Sequence, residues 1–217
     1  MTTKKQWLER ARLYVVLGDR SASGRPAEET AREAVLGGAD IVQLRMKGAG
    51  TTELTRRARQ VGAEVQRLGA LFIVNDDPRA AVDSGADGVH VGQDDAPVAE
   101  VRRLVGQGFL IGKSTHSPEQ AAAAGLEDAD YLGFGPMFQT PTKPDYRAVG
   151  PDRIREVLGT FRQPFFAIGG IDLNTAPAVI ASGASRLAVV RVVQDAADPR
   201  AAARALKDLL IKEEISQ

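Results

Sequence analysis

Short apolar, β-branched runs recur along the chain at a nearly steady interval: RLYVVL (12–17), DIVQLRM (40–46), LFIVN (71–75), DGVHV (87–91), FLIGK (109–113), DYLGF (130–134), PFFAIG (164–169) and RLAVVR (186–191). Their length and residue types predict strands. Between them lie Ala-, Glu- and Arg-rich stretches with helical spacing, among them PAEETAREAVLGG, TTELTRRARQVGAEVQRLG, APVAEVRRLVG and NTAPAVIASG. Several open on Pro, Thr or Asn and close on Gly, as helix entries and exits do. Strands that alternate with helices predict a parallel sheet, because parallel neighbours need crossover connections. Eight such units closing on themselves give an α/β fold of the (β/α)8 TIM-barrel type. Spread over 217 residues, each unit has about 27, near the lower practical limit for that barrel. The expected organisation is therefore one barrel domain over 1–217 with a short leader, 1–11. An open doubly wound sheet is the rival, and no G-x-G-x-x-G follows the first run.

Polar clusters sit at or just past the C-terminal end of one run after another: QLRMK (43–47), NDD (75–77), GQDD (92–95), KSTH (113–116), LGFGPMFQTPTK (132–143), GGID (169–172) and VVR (189–191). In a parallel barrel these ends converge on one mouth, where barrel enzymes place their chemistry. Alternation along IVQLRMK sends Gln43, Arg45 and Lys47 to one face and Val42, Leu44 and Met46 to the other. A strand with one solvated face explains such a pattern in antiparallel sheets, but parallel barrel strands are covered on both sides. Two cations and an amide pointing together predict a polyanion site. Asp76 and Asp95 each follow a strand end. Two carboxylates beside a cationic cluster suit a shared Mg²⁺, which takes one or two carboxylates plus phosphate oxygens. Asp77 and Asp94 are read as turn or capping residues instead. The glycines of AIGGID precede a helix and can offer bare N–H groups to a second anion, with RLAVVRVV completing the cradle.

The two histidines are read structurally: His90 as a satisfied inward-facing barrel residue, His116 as one that orders a loop through hydrogen bonds. Trp7 belongs to the leader and carries no functional signal.

Charge and composition narrow the partners. With 28 Lys plus Arg against 28 Asp plus Glu, no overall field draws nucleic acid or an anionic membrane. Small-molecule substrates are expected, with further copies of the same chain left open as partners. The start, MTTKKQWLERARLYVV, is too polar for a signal sequence, and no apolar run approaches the roughly 20 residues a span needs, so a cytoplasmic protein is expected. Zero cysteines remove thiolate nucleophiles, disulfides and sulfur metal sites together.

QLRMK, FIVNDD, GVHVGQDD, IGKSTH, DYLGFGPMFQTPTK and AIGGI, in this order from Leu13 to about Val193, resemble the thiamine-phosphate synthase family. The resemblance implies a Mg²⁺-assisted condensation of 4-amino-5-hydroxymethyl-2-methylpyrimidine diphosphate with 4-methyl-5-(2-phosphoethyl)thiazole, releasing diphosphate. It implies that the pyrimidine diphosphate rests on Gln43, Arg45, Lys47, Asn75 and Lys143, with Mg²⁺ on Asp76 and Asp95. Ser114 would contact the reacting pyrimidine or the diphosphate. Thr140 and Thr142 would hold the thiazole phosphate with the Gly170 amide and the backbone of Val190 and Arg191. Arg45, Lys47, Ser114 and Lys143 would carry the catalysis. The family often has Ser where this chain has Arg191, and GASRL replaces a common GADGV; an inward Arg191 would pair with the thiazole phosphate, an outward one would offer only its N–H.

Two other readings compete. A thiazole tautomerase-like barrel uses a histidine in the loop after the sixth strand, where this chain has Pro136. A non-catalytic thiazole-phosphate-binding regulatory barrel needs no second, metal-assisted site, yet both Asp76 and Asp95 are present. The Gly48–Thr52 region and the loop around 132–143 are expected to be mobile, from their Gly, Thr and Pro content.

Overall fold

In a computed structural model, which describes residues 3–139 and 147–216, eight parallel strands form a closed barrel in simple sequence order. They are β1 (Leu13–Leu17), β2 (Ile41–Leu44), β3 (Leu71–Asn75), β4 (Gly88–Val91), β5 (Leu110–Thr115), β6 (Tyr131–Phe134), β7 (Phe165–Ile168) and β8 (Leu187–Val189), and β8 pairs back onto β1. The expected α/β barrel is the observed one. Two run ends differ. β5 continues through Ser114 and Thr115, whereas β8 stops at Val189, because Val190 turns away (φ −122°, ψ −93°) and Arg191 opens a short helix.

Helices cover the outside: α1 (Lys4–Arg10) ahead of β1, then α2 (Ala27–Leu36), α3 (Thr51–Arg67), α4 (Pro78–Ser84), α5 (Val98–Val105), α6 (Pro118–Gly125), α7 (Ile154–Val157), α8 (Ala176–Ala181), α9 (Arg191–Gln194) and α10 (Pro199–Ser216). Their entries follow the local sequence. Asp77 caps α4 by accepting from the Ala80 N–H at 2.9 Å, with Pro78 at the first helical position, as the capping reading of Asp77 expected. Asp94 lies exposed in a turn, again as read. None of the described helices is long and apolar enough to cross a membrane.

Strand alternation divides the core in two. Leu13, Val15, Leu17, Val42 and Leu44 pack outward under the helices, while Tyr14, Val16, Ile41, Leu71, Ile73, Leu110, Tyr131 and Phe166 fill the barrel interior. Leu8 and Ala11 of the leader join that inner cluster, so the leader plugs the barrel floor. Thr3 and Gln6 cap α1 reciprocally, each side chain taking the other's backbone N–H.

The floor also carries a repeated device. Asp40, Asp87 and Asp130 stand immediately before β2, β4 and β6 and each accepts an N–H from the start of the preceding strand: Leu13 at 2.9 Å, Phe72 at 3.0 Å and Ile111 at 2.9 Å. Each carboxylate also meets a cation, Lys207 for Asp40, Lys4 for Asp87, and Lys5 and Arg102 for Asp130. Before β8 the corresponding residue is Arg186, whose Nη2 donates to the Glu9 carbonyl of the leader at 3.0 Å.

Candidate active site

The opposite end of the barrel opens into a cavity of about 750 Å³. From β2, Gln43 enters it buried, at 4% exposure, and its amide donates to Asn75 Oδ1 at the end of β3 at 2.7 Å. Arg45, just past β2, also lines the cavity. Lys47 lies further out, exposed, beside a recess of about 170 Å³ that it shares with Asn75, Asp76 and Asp77. The expected shared face of Gln43, Arg45 and Lys47 is thus spread from the cavity wall to its rim.

Asp76 holds a positive φ of 66°, with its N–H donating to the His90 carbonyl at 2.8 Å. A non-glycine residue pays steric strain in that conformation, which places its side chain where a regular strand exit would not. Asp76 is exposed as a residue, yet partial burial of its carboxyl raises the pKa above the usual aspartate value. The charge of Asp95 and a hydrogen bond with it push further the same way, against the opposing pull of Arg45 and Lys47. Two carboxyls that face one another under a cationic flank could hold a hard divalent ion. Among the described residues no group of three or more acidic or histidine side chains is assembled for a metal; the two-carboxylate set suits Mg²⁺ only when a ligand's phosphate oxygens complete the shell. The loop after β4 is held in place around Asp95. Asp95 Oδ2 accepts the Gly92 N–H at 2.6 Å, Lys113 Nζ donates to the Gly92 carbonyl at 2.9 Å, and Gln93 Nε2 donates to the Ser114 carbonyl at 2.5 Å.

Ser114 faces the cavity from β5, with Oγ 2.9 Å from His90 Nε2. Across the mouth, Gly169 and Gly170 have φ of 102° and 66°, and a Cβ on Gly170 would press on the Phe138 side chain 2.7 Å away. The φ of Gly169 and the close approach of Phe138 to Gly170 need glycine and leave the chain bare where it borders the cavity. Val190 and Arg191 border the same side, with Arg191 exposed at the rim. His116 orders the neighbouring loop, its Nδ1 2.6 Å from the Gly135 carbonyl and its N–H donating to Gln120 Oε1 at 2.8 Å.

Residues 13–193 match the model of the family described as thiamine monophosphate synthase. The chain belongs to the thiamine-phosphate synthase family. Thiamine-phosphate synthase of Mycobacterium sp. (strain KMS) is 44% identical over 214 residues, covering 94% of each chain. That of Methanocella arvoryzae is 42% identical over 205 residues, covering 94% of this chain and 97% of its own. The solved thiamine phosphate pyrophosphorylase from Pyrococcus furiosus superposes with a TM-score of 0.85 at 32% identity, covering 96% of this chain and 98% of that one. Membership of the thiamine-phosphate synthase family makes the chain a transferase, and gives the mouth a reaction to serve.

For a thiamine-phosphate synthase, most of the expected residues come together: Gln43, Arg45, Asn75 and Ser114 line the cavity on one side, Gly170, Val190 and Arg191 on the other. Lys47, Asp76 and Asp95 gather at the rim, linked through the Asp76 carboxyl. Thr140, Thr142 and Lys143 lie outside the described residues. Two groups escaped the sequence reading. Lys113, grouped there with the mouth cluster KSTH, is 6% exposed and tied to the Gly92 carbonyl rather than turned into the cavity. Tyr14, Tyr131 and Phe166 form the aromatic bottom of the cavity, with Phe166 edge-on to both tyrosines at centroid distances of 5.3 and 5.9 Å. Strand parity on β1, β6 and β7 was the signal that could have found them.

Proposed function

We propose that this mouth condenses 4-amino-5-hydroxymethyl-2-methylpyrimidine diphosphate with 4-methyl-5-(2-phosphoethyl)thiazole to give thiamine phosphate and diphosphate. The observation that carries the reading is the gathering of Arg45 and Lys47 around the paired carboxyls of Asp76 and Asp95, beside a cavity large enough for two rings. Cations beside carboxyls suit a diphosphate and its metal together, whereas a lone phosphate would need only the cations.

In this reading Gln43 and Asn75 orient the pyrimidine diphosphate, while Arg45, Lys47 and Lys143 take up the charge on the departing diphosphate. Asp76 and Asp95 would hold Mg²⁺, which when bound neutralises charge on the leaving diphosphate. The benzylic C–O bond breaks with its electron pair leaving on diphosphate, and the electron-rich aminopyrimidine stabilises the cation that results. The thiazole nitrogen then supplies the electron pair of the new C–N bond. Ser114 contacts the reacting pyrimidine or the diphosphate, and Thr140, Thr142, the Gly170 amide and the backbone of Val190 and Arg191 hold the thiazole phosphate. Arg191, exposed at the rim, is assigned its N–H rather than its guanidinium. No cysteine is available for a covalent intermediate, so acceleration rests on charge stabilisation and on holding the two rings in line. Two phosphorylated substrates that do not cross membranes suit a cytoplasmic enzyme.

Incubation of both substrates with Mg²⁺ tests the reading. Thiamine phosphate and diphosphate are expected in equal amounts, and no product at saturating substrate rejects it. Turnover of Asp76→Asn that is unchanged at limiting Mg²⁺ rejects the metal assignment alone.

A further inference from the structure

Four polar groups stand in line inside the barrel. Tyr14 Oη lies 2.9 Å from Tyr131 Oη, Tyr131 Oη lies 3.2 Å from His90 Nδ1, and His90 Nε2 lies 2.9 Å from Ser114 Oγ. All four residues border the large cavity. Its inner half is packed in place: Tyr14 and Tyr131 are 2% and 1% exposed, and both pack against the edge of Phe166. A Cβ on Gly112 would overlap both the Tyr131 ring and His90 Nδ1, so glycine there is what lets the two rings meet.

The direction of the hydrogen bonds follows from the blind end of the line. Burial raises the pKa of both phenols, so each keeps its proton and has one to donate. Among the described residues the Tyr14 hydroxyl meets only that of Tyr131. A buried donor without an acceptor is rarer and costlier than an acceptor with a spare lone pair, so Tyr14 donates to Tyr131. Tyr131, its oxygen already accepting, donates to His90 Nδ1. The partner on one ring nitrogen fixes the tautomer at the other, which leaves the proton on Nε2, donated to Ser114 Oγ.

We propose that Tyr14, Tyr131 and His90 are positioning residues that run a one-way line of hydrogen bonds and thereby make the Ser114 hydroxyl a donor into the cavity. The inference rests on the reading of Ser114 as a substrate contact. It adds a selectivity: the ligand atom that meets the Ser114 proton is an acceptor, a ring nitrogen or a diphosphate oxygen. The sequence reading of His90 as a satisfied barrel histidine is thereby extended from packing to orientation.

The ¹⁵N spectrum of His90 in the whole protein without substrate decides the direction. The Nε2–H tautomer is expected, and any other protonation pattern overturns the proposal. Tyr131→Phe should convert His90 to a mixture of tautomers and lower kcat/KM about tenfold, the worth of one oriented hydrogen bond. In a Ser114→Ala background the same change should cost less than about twofold, because the line acts through Ser114; an equal loss in both backgrounds overturns it. Should Tyr131→Phe fail to fold, Tyr14→Phe, which leaves no unpaired hydroxyl behind, must itself weaken the His90 tautomer preference. If Ser114→Ala alone leaves turnover unchanged, the substrate contact assigned to Ser114 falls, while the ¹⁵N measurement still decides the line.

Discussion

The two ends of the barrel spend charge in opposite ways. On the floor, Asp40, Asp87 and Asp130 each combine a strand N–H with a cation, and Arg102 is saturated by Asp128, Asp130 and the carbonyls of Gly106, Phe109 and Asp128. At the mouth, Asp76 faces another carboxyl, and the nearby cations Arg45 and Lys47 only partly offset the repulsion. A floor whose charges answer one another holds the fold together. A mouth whose charges do not is the arrangement that a bound ligand would complete.

The largest effect that breaks this contrast is expected on the floor. Asp130→Ala strips Arg102 and the Ile111 N–H of their buried acceptor. It should cost about 3 to 5 kcal/mol by urea denaturation, with turnover per folded molecule nearly unchanged. At the mouth the order reverses. Arg45→Ala should lower kcat/KM about ten- to a hundredfold, worth about 1.5 to 3 kcal/mol in transition-state binding, while the denaturation midpoint stays close to that of the parent chain. A smaller effect sharpens the role of the leader: Thr3→Ala removes the reciprocal cap of α1 and should cost about 1 kcal/mol, read as earlier local exchange of the amides of Lys4–Arg10.

The smallest effect has the opposite sign. The folded state raises the Asp76 pKa above its unfolded value, mainly through partial burial and then through Asp95. The folded chain therefore binds the extra proton more readily, and stability falls as pH rises from the ordinary aspartate range through the raised value. Without divalent cation, Asp76→Asn should be the more stable protein at neutral pH, and the gain should vanish in acid below the ordinary aspartate value. Thermal melts at the two pH values check this; a destabilised Asp76→Asn at neutral pH would place Asp76 with the floor carboxylates rather than against them.

The barrel was legible because each strand announces itself locally, by β-branched runs bounded by turn residues. The place of Gln43, Asn75, Ser114 and Gly170 in the cavity lining was legible because residues at or just past the C-terminal ends of parallel strands share one mouth whatever the fine register. Residues whose meaning lies in a distant partner were not. Tyr14 looks like any apolar strand residue until the register places it against Tyr131, 117 residues away. Lys113 sits in a polar run, and only its side-chain direction shows that it braces the Gly92 carbonyl. The Asp that opens three of the eight runs was visible as a repeat, but its function as acceptor for the neighbouring strand needs the closed sheet.

The leader's contacts carry a consequence for the order of assembly. Lys4 reaches Asp87, Lys5 reaches Asp130, and the Glu9 carbonyl receives Arg186, 177 residues further on. A segment that precedes every strand thus finds its partners in the fourth, sixth and eighth units, and contacts over such separations carry a high loop-closure cost. The helix written first is therefore expected among the last to be fastened.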